Sequence, residues 1–431
     1  MKPYVREIIY VEPASLAARL RGEKNLTLLE SVMRHEHLGR YSYLSCNPSQ
    51  TLQNVTLENI REVLARHALK NVAGLPPFQG GLAGYISYEF GRSLEPHSKV
   101  PEFLPLCPDL ILHHYDTVIS FDHLQEKAWI VARHEADAEA LEKLLKHKTG
   151  VLGSTVIENW HSNFSRAKYE AAIQKTMDYI LAGDIFQANI TQCFVADIPS
   201  EFDSFAFYRR LRELNPAPFA AYLDYADVQI VSSSPERLVN CNGTHVEARP
   251  IKGTRRRDAD EARDAELIVE LQASRKDRAE NVMIVDLLRN DLSRISKPGT
   301  VKVPALCGLE SYANVHHLVS VVTGDLREGL DLVNVLRAVF PGGSITGAPK
   351  IRAMEIIAEL EGQARGVYCG AIGFLGFNGA CDLNIAIRTA LFAHGKAHVA
   401  GGGGITARSQ PAAEYEESLT KIRRIMEAFA P

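Results

Sequence analysis

The chain has 431 residues, 46% hydrophobic and 23% charged, with a formal net charge of −4 at pH 7. That composition is ordinary for a folded globular protein, and the slight acidity gives no reason to expect nucleic acid or an anionic membrane as partner. No uncharged apolar run of about 18 residues points to a transmembrane helix, and Met1 to Glu7 lack the apolar core of a signal peptide. The cysteines Cys46, Cys107, Cys193, Cys241, Cys307, Cys369 and Cys381 form no CxxC pair. Neither a zinc site nor a redox motif is indicated, and the expectation is buried thiols in a reducing, cytoplasmic setting.

In chain order, residues 8–11, 27–30, 84–88 and 128–132 read as strands, and 136–148 as a charged amphipathic helix. The glycine- and serine-bearing stretch 149–163 is the best linker candidate. It would divide an N-terminal subdomain, 1–150, from a main domain, 160–431. Ser165 then caps a helix with Tyr169, Ile173, Met177, Ile180 and Leu181 on one face, closed by Gly183. After the segment 184–195, a helix is expected near 204–214 and strands at 219–223, 228–232 and 238–241, with Asn242-Gly243 as a hairpin turn. One long helix is expected over about 264–288. The last third shows strands around 366–377, 381–392 and 397–400, and helices over 349–360 and 411–429 that open on proline. Strands and helices mix without a regular βαβ alternation, which predicts α+β with large antiparallel sheets.

Several residues could carry chemistry. Arg249-Pro250-Ile251-Lys252-Gly253-Thr254 places Lys252 in an apolar, tight-turn setting, where desolvation favours the neutral, nucleophilic amine. An ordinary surface lysine is the plain alternative. Glu236, in Ser234-Pro235-Glu236-Arg237, lies between two strand-like runs and could face the same cavity as a general acid, or pair with Arg237 at an edge. On the C-terminal helix, Glu414, Glu417 and Lys421 fall within about 60° of one another and border the stripe Tyr415, Leu419, Ile422, Ile425, Met426 and Phe429. Carboxylates at such a border could hold magnesium, as could Glu280 at the edge of an apolar helix face. Solvated charge clusters would look the same. Gly401-Gly402-Gly403-Gly404 is either an anion-approaching backbone or a flexible loop.

Taken together, these residues resemble the chorismate-utilising enzymes, which include component I of the anthranilate and aminodeoxychorismate synthases and the isochorismate and salicylate synthases. The matching strings are Asp184–Gln187, Ser234–Arg237, Pro250–Thr254, Ala279-Glu280-Asn281 to Asp291, Val315–Ser320, Phe340–Lys350, Ile385–Thr389 and Gly401–Gly404. The N-terminal third resembles that of the two aminating members through Leu28–Ser31 and Phe78–Gly81. The resemblance implies an antiparallel β-sandwich of two packed sheets surrounded by helices, with both parts of the chain intertwined in it. Isochorismate-type members carry a lysine base where this chain has Gln187. Anthranilate synthases carry alanine where it has Lys252. The lysine implies production of 4-amino-4-deoxychorismate.

In that reading Lys252 attacks C2 while Glu236 protonates the leaving C4 hydroxyl. Mg²⁺ sits on Glu280, Glu417 and Glu414. Arg388, Tyr368, His317, Thr346, Gly402, Gly403, Gly404, Lys421 and Gln187 bind the substrate. Ammonia would come from a separate glutamine amidotransferase, because Cys369 lacks the preceding glycine of an amidotransferase elbow and the chain is too short to add a glutaminase domain of about 190 residues. Leu29, Glu30 and Ser31, with Pro218 and Phe219, are similar to the tryptophan-binding segments of anthranilate synthases. Anthranilate synthase component I and a non-catalytic tryptophan-binding subunit therefore stand as alternatives.

Overall fold

The computed structural model describes residues 1–34, 38–95, 98–312 and 315–430. Among them, two antiparallel sheets of twelve and ten strands pack together beneath flanking helices, an α+β sandwich. Their inner faces interdigitate. Tyr85, Ile111 and Ile372 of one sheet pack with Ala221, Leu223, Ile230 and Leu391 of the other. No helix among these residues is long and apolar enough to cross a membrane.

Residues from both ends of the chain share both sheets. Leu26–Glu30 pairs with Phe219–Tyr225, and Gly81–Ile86 pairs with Ala371–Gly376. The strand Leu110–Tyr115 is buried along its whole length, so its sequence does not alternate between polar and apolar, and His113 and His114 are enclosed with it. Residues 149–163 run against the larger part of the chain: His161–Ser162 pairs with Gln187–Asp197, and the Trp160 ring lies 4.9 Å from that of Phe429.

Local signals hold where the chain makes its own structure. Ser165 accepts a hydrogen bond from the Lys168 N–H at the start of Arg166–Leu181. Asn242-Gly243, with Gly243 at φ +65°, joins Arg237–Asn242 to His245–Arg249 as a hairpin. The expected strands 8–11 and 84–88 are displaced to Tyr4–Ile8 and Gly81–Ile86.

Other expectations are corrected. The long helix over 264–288 is two helices, Glu261–Ala273 and Arg275–Ser293. Ser274 breaks them: its φ/ψ of −64°/103° is not helical, and its side chain caps the second helix at Asp277 N–H. The run 381–392 is two strands, Cys381–Asn384 and Thr389–Ala393, which lie in different sheets. Between them Arg388 takes φ +51°, so the chain turns from one sheet into the other. Gly401–Gly404 is not a loop but part of the ten-residue strand Lys396–Ile405, paired along its length with Gln187–Asp197.

Candidate active site

Two sheet-crossing steps build the centre of the site. Val228–Ser234 belongs to the twelve-stranded sheet and Arg237–Asn242 to the ten-stranded one, so Pro235-Glu236 carries the chain across. Residues 385–388 cross back. The steps are tied together: Ile385 N–H donates to the Glu236 carbonyl at 3.0 Å, and the Ser234 hydroxyl donates to the Ile385 carbonyl at 2.6 Å. This fixes the backbone on both sides of Glu236 and leaves its side chain buried, with Oε1 lacking any partner. Burial raises the Glu236 carboxyl above its ordinary range, opposed chiefly by the charge of Lys252.

Lys252 lies on the strand Ile251–Arg256 rather than in a turn. Its Nζ donates to the Ser344 carbonyl at 3.2 Å, and burial lowers its pKa, opposed by Glu280 and then Glu236. His317 stands opposite Thr254 on the neighbouring strand, its Nδ1 2.9 Å from the Thr254 hydroxyl. Burial, with help from Arg388, pushes the His317 imidazole down to about 4, so it is neutral at pH 7. Among the described residues the Arg388 guanidinium has no ion pair, although it is largely enclosed. A fork of this kind is suited to a carboxylate.

Gln187 is fully buried and neither of its amide atoms has a partner. It faces Gly404, where a Cβ would lie 2.7 Å from Gln187 Nε2. Thr346 is buried, its hydroxyl held by the Gly342 carbonyl at 2.9 Å. Tyr368 is buried too, beside Cys369 and the Glu361–Arg365 ion pair, and no hydrogen bond links it to Lys252 or Glu236.

The strand of glycines and the helix Pro411–Phe429 form the acidic wall. A Cβ at Gly403 would sit 3.1 Å from Glu414 Oε2, 3.4 Å from Glu417 Oε1 and 3.4 Å from Lys421 Nζ. Lys421 pairs with Glu417 at 2.7 Å and donates to the Gly402 carbonyl at 2.8 Å. On its other edge the glycine strand is paired only as far as Ala390↔Val399, so beyond Val399 that edge has no strand neighbour among the described residues.

Glu280, on Arg275–Ser293, completes the acidic set, with Oε1 buried and unbonded. Lys276 stands between Glu280 and Glu414, with Nζ 3.9 and 3.7 Å from their Oε1 atoms. The three carboxylates do not close to within 4.8 Å of one another. The group of ligand atoms that does, among the described residues, is His67, His114 and Asp116, where Arg133 already donates to Asp116 at 2.6 Å. Oxygen donors with an orphaned Glu280 oxygen nevertheless suit a hard divalent cation.

Residues singled out in the sequence thus meet in one region, joined by two that were not. Ser344 lies within the Phe340–Lys350 string, but nothing local marks its carbonyl as the lysine's acceptor. Lys276 was detectable only as a lysine four positions before Glu280. The tryptophan-like residues meet elsewhere: Leu29, Glu30, Ser31, Pro218 and Phe219 all line one cavity of about 340 Å³. Glu30 of its wall accepts from Arg212 at 2.8 and 3.1 Å, and the Ser31 hydroxyl donates to the Pro218 carbonyl at 3.0 Å.

Comparison with known proteins agrees. A family profile described as chorismate binding enzyme matches residues 26–427. Aminodeoxychorismate synthase component 1 of Escherichia coli (strain K12) is 41% identical over 350 residues, 81% of this chain and 77% of that one. Anthranilate synthase component 1 of Pseudomonas aeruginosa is 39% identical over 466 residues, covering 97% and 93%. The crystal structure of anthranilate synthase component I from Streptococcus pneumoniae TIGR4 superposes with a TM-score of 0.81 at 31% identity, over 91% of this chain and 95% of that one. The menaquinone-specific isochorismate synthase of Escherichia coli shares the fold, with a TM-score of 0.77 at 17% identity over 99% and 95%. By sequence, architecture and the match across nearly its full length, the chain belongs to the chorismate-binding enzymes.

Proposed function

We propose that the chain is the chorismate-aminating component of an aminodeoxychorismate synthase, making 4-amino-4-deoxychorismate, the precursor of p-aminobenzoate and folate. One observation carries this reading: Lys252 is partly buried with its Nζ on the neutral Ser344 carbonyl, its ammonium form disfavoured by burial, in the field of a buried carboxyl, Glu236, whose proton affinity is raised. A neutral amine and a protonated acid are the forms a nucleophile and a general acid need.

Neutral Lys252 attacks C2 of chorismate. The ring double bonds shift from C1=C2 and C5=C6 to C1=C6 and C4=C5, and the C4–O bond breaks as Glu236 gives the leaving hydroxyl its proton. Ammonia then attacks C4, the double bonds return, and the C2–N bond to Lys252 breaks. Occupation of C2 by Lys252 directs nitrogen to C4. Arg388 grips a substrate carboxylate in a bidentate fork, aided by the N–H groups of Gly402 and Gly404 on the unpaired strand edge, while Gly403 keeps the backbone close. Neutral His317, Thr346 and Tyr368 line the ring. Gln187, being a neutral amide, cannot activate water as a lysine base would. Glu280, Glu417 and Glu414 would hold Mg²⁺, which offsets the charge of the ring carboxylate when bound.

The relatives' designation as component 1 supports a separate glutamine amidotransferase as the ammonia source. A second reading, anthranilate synthase component I, is favoured by alignments to such enzymes that span 97% of the chain and by the cavity at Leu29–Ser31, which we assign to tryptophan. Product analysis separates the two. Chorismate, Mg²⁺ and ammonium should give p-aminobenzoate only when aminodeoxychorismate lyase is added. Anthranilate fluorescence without lyase would mean that Lys252 does not set the regiochemistry.

A further inference from the structure

We propose that Lys276 is a tethered counter-cation of the acidic wall, which competes with the divalent ion for Glu280 and Glu414 and must leave when that ion binds. The inference rests on the metal reading above. Among the described residues, Lys276 is the only cation whose side chain bridges two of the three carboxylates: its Nζ lies 3.9 Å from Glu280 Oε1 and 3.7 Å from Glu414 Oε1. The third carboxylate, Glu417, has its own partner in Lys421 at 2.7 Å. The two contacts of Lys276 are too long for hydrogen bonds. The ammonium is therefore held by charge between the carboxylates rather than locked to either.

The placement follows from the helix. Lys276 and Glu280 are one turn apart on Arg275–Ser293, so their side chains share a face. That face is turned toward Glu414 of the C-terminal helix, which is itself fixed by the Ser409 hydroxyl at 2.7 Å. Without a cation between them, Glu280, which is only 13% exposed, and Glu414, 5% exposed, would face each other as like charges in a poorly solvated place. Lys276 is different: its side chain is 47% exposed on a flexible four-carbon stem, so it can swing into solvent at little cost. The arrangement keeps the acidic residues together before the metal arrives and sets the metal affinity lower than the carboxylates alone would give.

The test is calorimetric titration of the whole chain with Mg²⁺, backed by Mn²⁺ titration followed by electron paramagnetic resonance. Neither reads turnover. Lys276→Gln should bind Mg²⁺ about threefold to tenfold more tightly, the range expected when two half-exposed ion pairs no longer compete. Lys276→Arg should stay near wild type, and Lys297→Gln, which removes a distant exposed charge, should not change the affinity. The metal-free Lys276→Gln protein should also melt at a lower temperature than wild type, with the gap closing on adding Mg²⁺. Unchanged or weaker Mg²⁺ binding by Lys276→Gln, with the wild type binding normally, overturns the inference while leaving the metal reading intact. A wild type that does not bind Mg²⁺ or Mn²⁺, alone or with chorismate, overturns both.

Discussion

The Lys252 Nζ donates to the carbonyl oxygen of Ser344 at 3.2 Å, and no carboxylate among the described residues lies within ion-pair distance of it. A lysine whose one hydrogen bond among the described residues goes to a neutral acceptor gains charge stabilisation from more distant groups, Glu280 and Glu236 foremost. Burial outweighs them. Lys252→Ala should therefore abolish aminodeoxychorismate formation and let ammonia reach C2, detected as anthranilate fluorescence. Glu236→Gln should retain chorismate binding and lower kcat by about 100- to 10,000-fold, the usual worth of a general acid.

The glycine strand should separate structural from chemical effects. A Cβ at Gly402 would lie 2.1 Å from the Ile190 carbonyl oxygen, a backbone atom of the paired strand. Gly402→Ala should destabilise the protein by about 1–3 kcal/mol or more in urea unfolding. At Gly403 the neighbours are side-chain ends, of which Glu417 and Lys421 can yield while Glu414 is held by Ser409. Gly403→Ala should fold normally and weaken Mg²⁺ binding measured by calorimetry.

Two buried groups outside the site make opposite pH predictions. Burial raises the Glu89 carboxyl from 4.5 to about 7, although it accepts N–H bonds from Arg365 and Gly366 at 2.7 and 2.9 Å. The unfolded chain releases this proton near pH 4.5 and the folded one only near 7. Wild type should thus lose stability relative to Glu89→Gln as pH rises through that window, by about 1.4 kcal/mol per unit at most. His113 is pushed down by burial from 6.5 to about 4. Here the unfolded chain takes up the proton first, so wild type should lose stability relative to His113→Gln as pH falls from 6.5 to about 4. Urea midpoints across pH 4–8 would show the two difference curves sloping in opposite directions.

The Glu361–Arg365 pair should be costly to break. Its side chains are 2% and 3% exposed and meet at 2.6 Å, and Arg365 also donates to the Ile345 and Asn189 carbonyls at 3.1 and 2.6 Å. Arg365→Leu leaves Glu361 buried without its cation and should destabilise by about 3–5 kcal/mol. Adding Glu361→Leu should recover part of that loss, measured as a double-mutant cycle.

At the second cavity, L-tryptophan should raise the melting temperature of the wild type. Phe219→Ala should remove that shift without changing the melting temperature in the absence of tryptophan by as much, because Phe219 lines the cavity at the start of a strand and is only partly buried. No shift at millimolar tryptophan would count against ligand binding there.

What could be read locally was read from groups that satisfy themselves nearby. The Ser165 cap, the Asn242-Gly243 turn and the spacing of Glu414, Glu417 and Lys421 on one helix each depend on residues within a turn or two, and the ordered strings carried the family. The tertiary structure decided the rest. Gly401–Gly404 is a strand because Gln187–Asp197 lies beside it, a pairing that overrides the low strand propensity of glycine. Residues 381–392 split because two sheets, not one, receive them, and Glu236 owes its burial, and Arg388 its turn, to those crossings. Lys276 reached Glu414 only because the fold brings the first turn of Arg275–Ser293 close to the first turn of Pro411–Phe429, two segments far apart in sequence. Hydrogen bonds and charge pairs between distant segments depend on where the chain returns in space, and a linear pattern of residue types does not contain that distance.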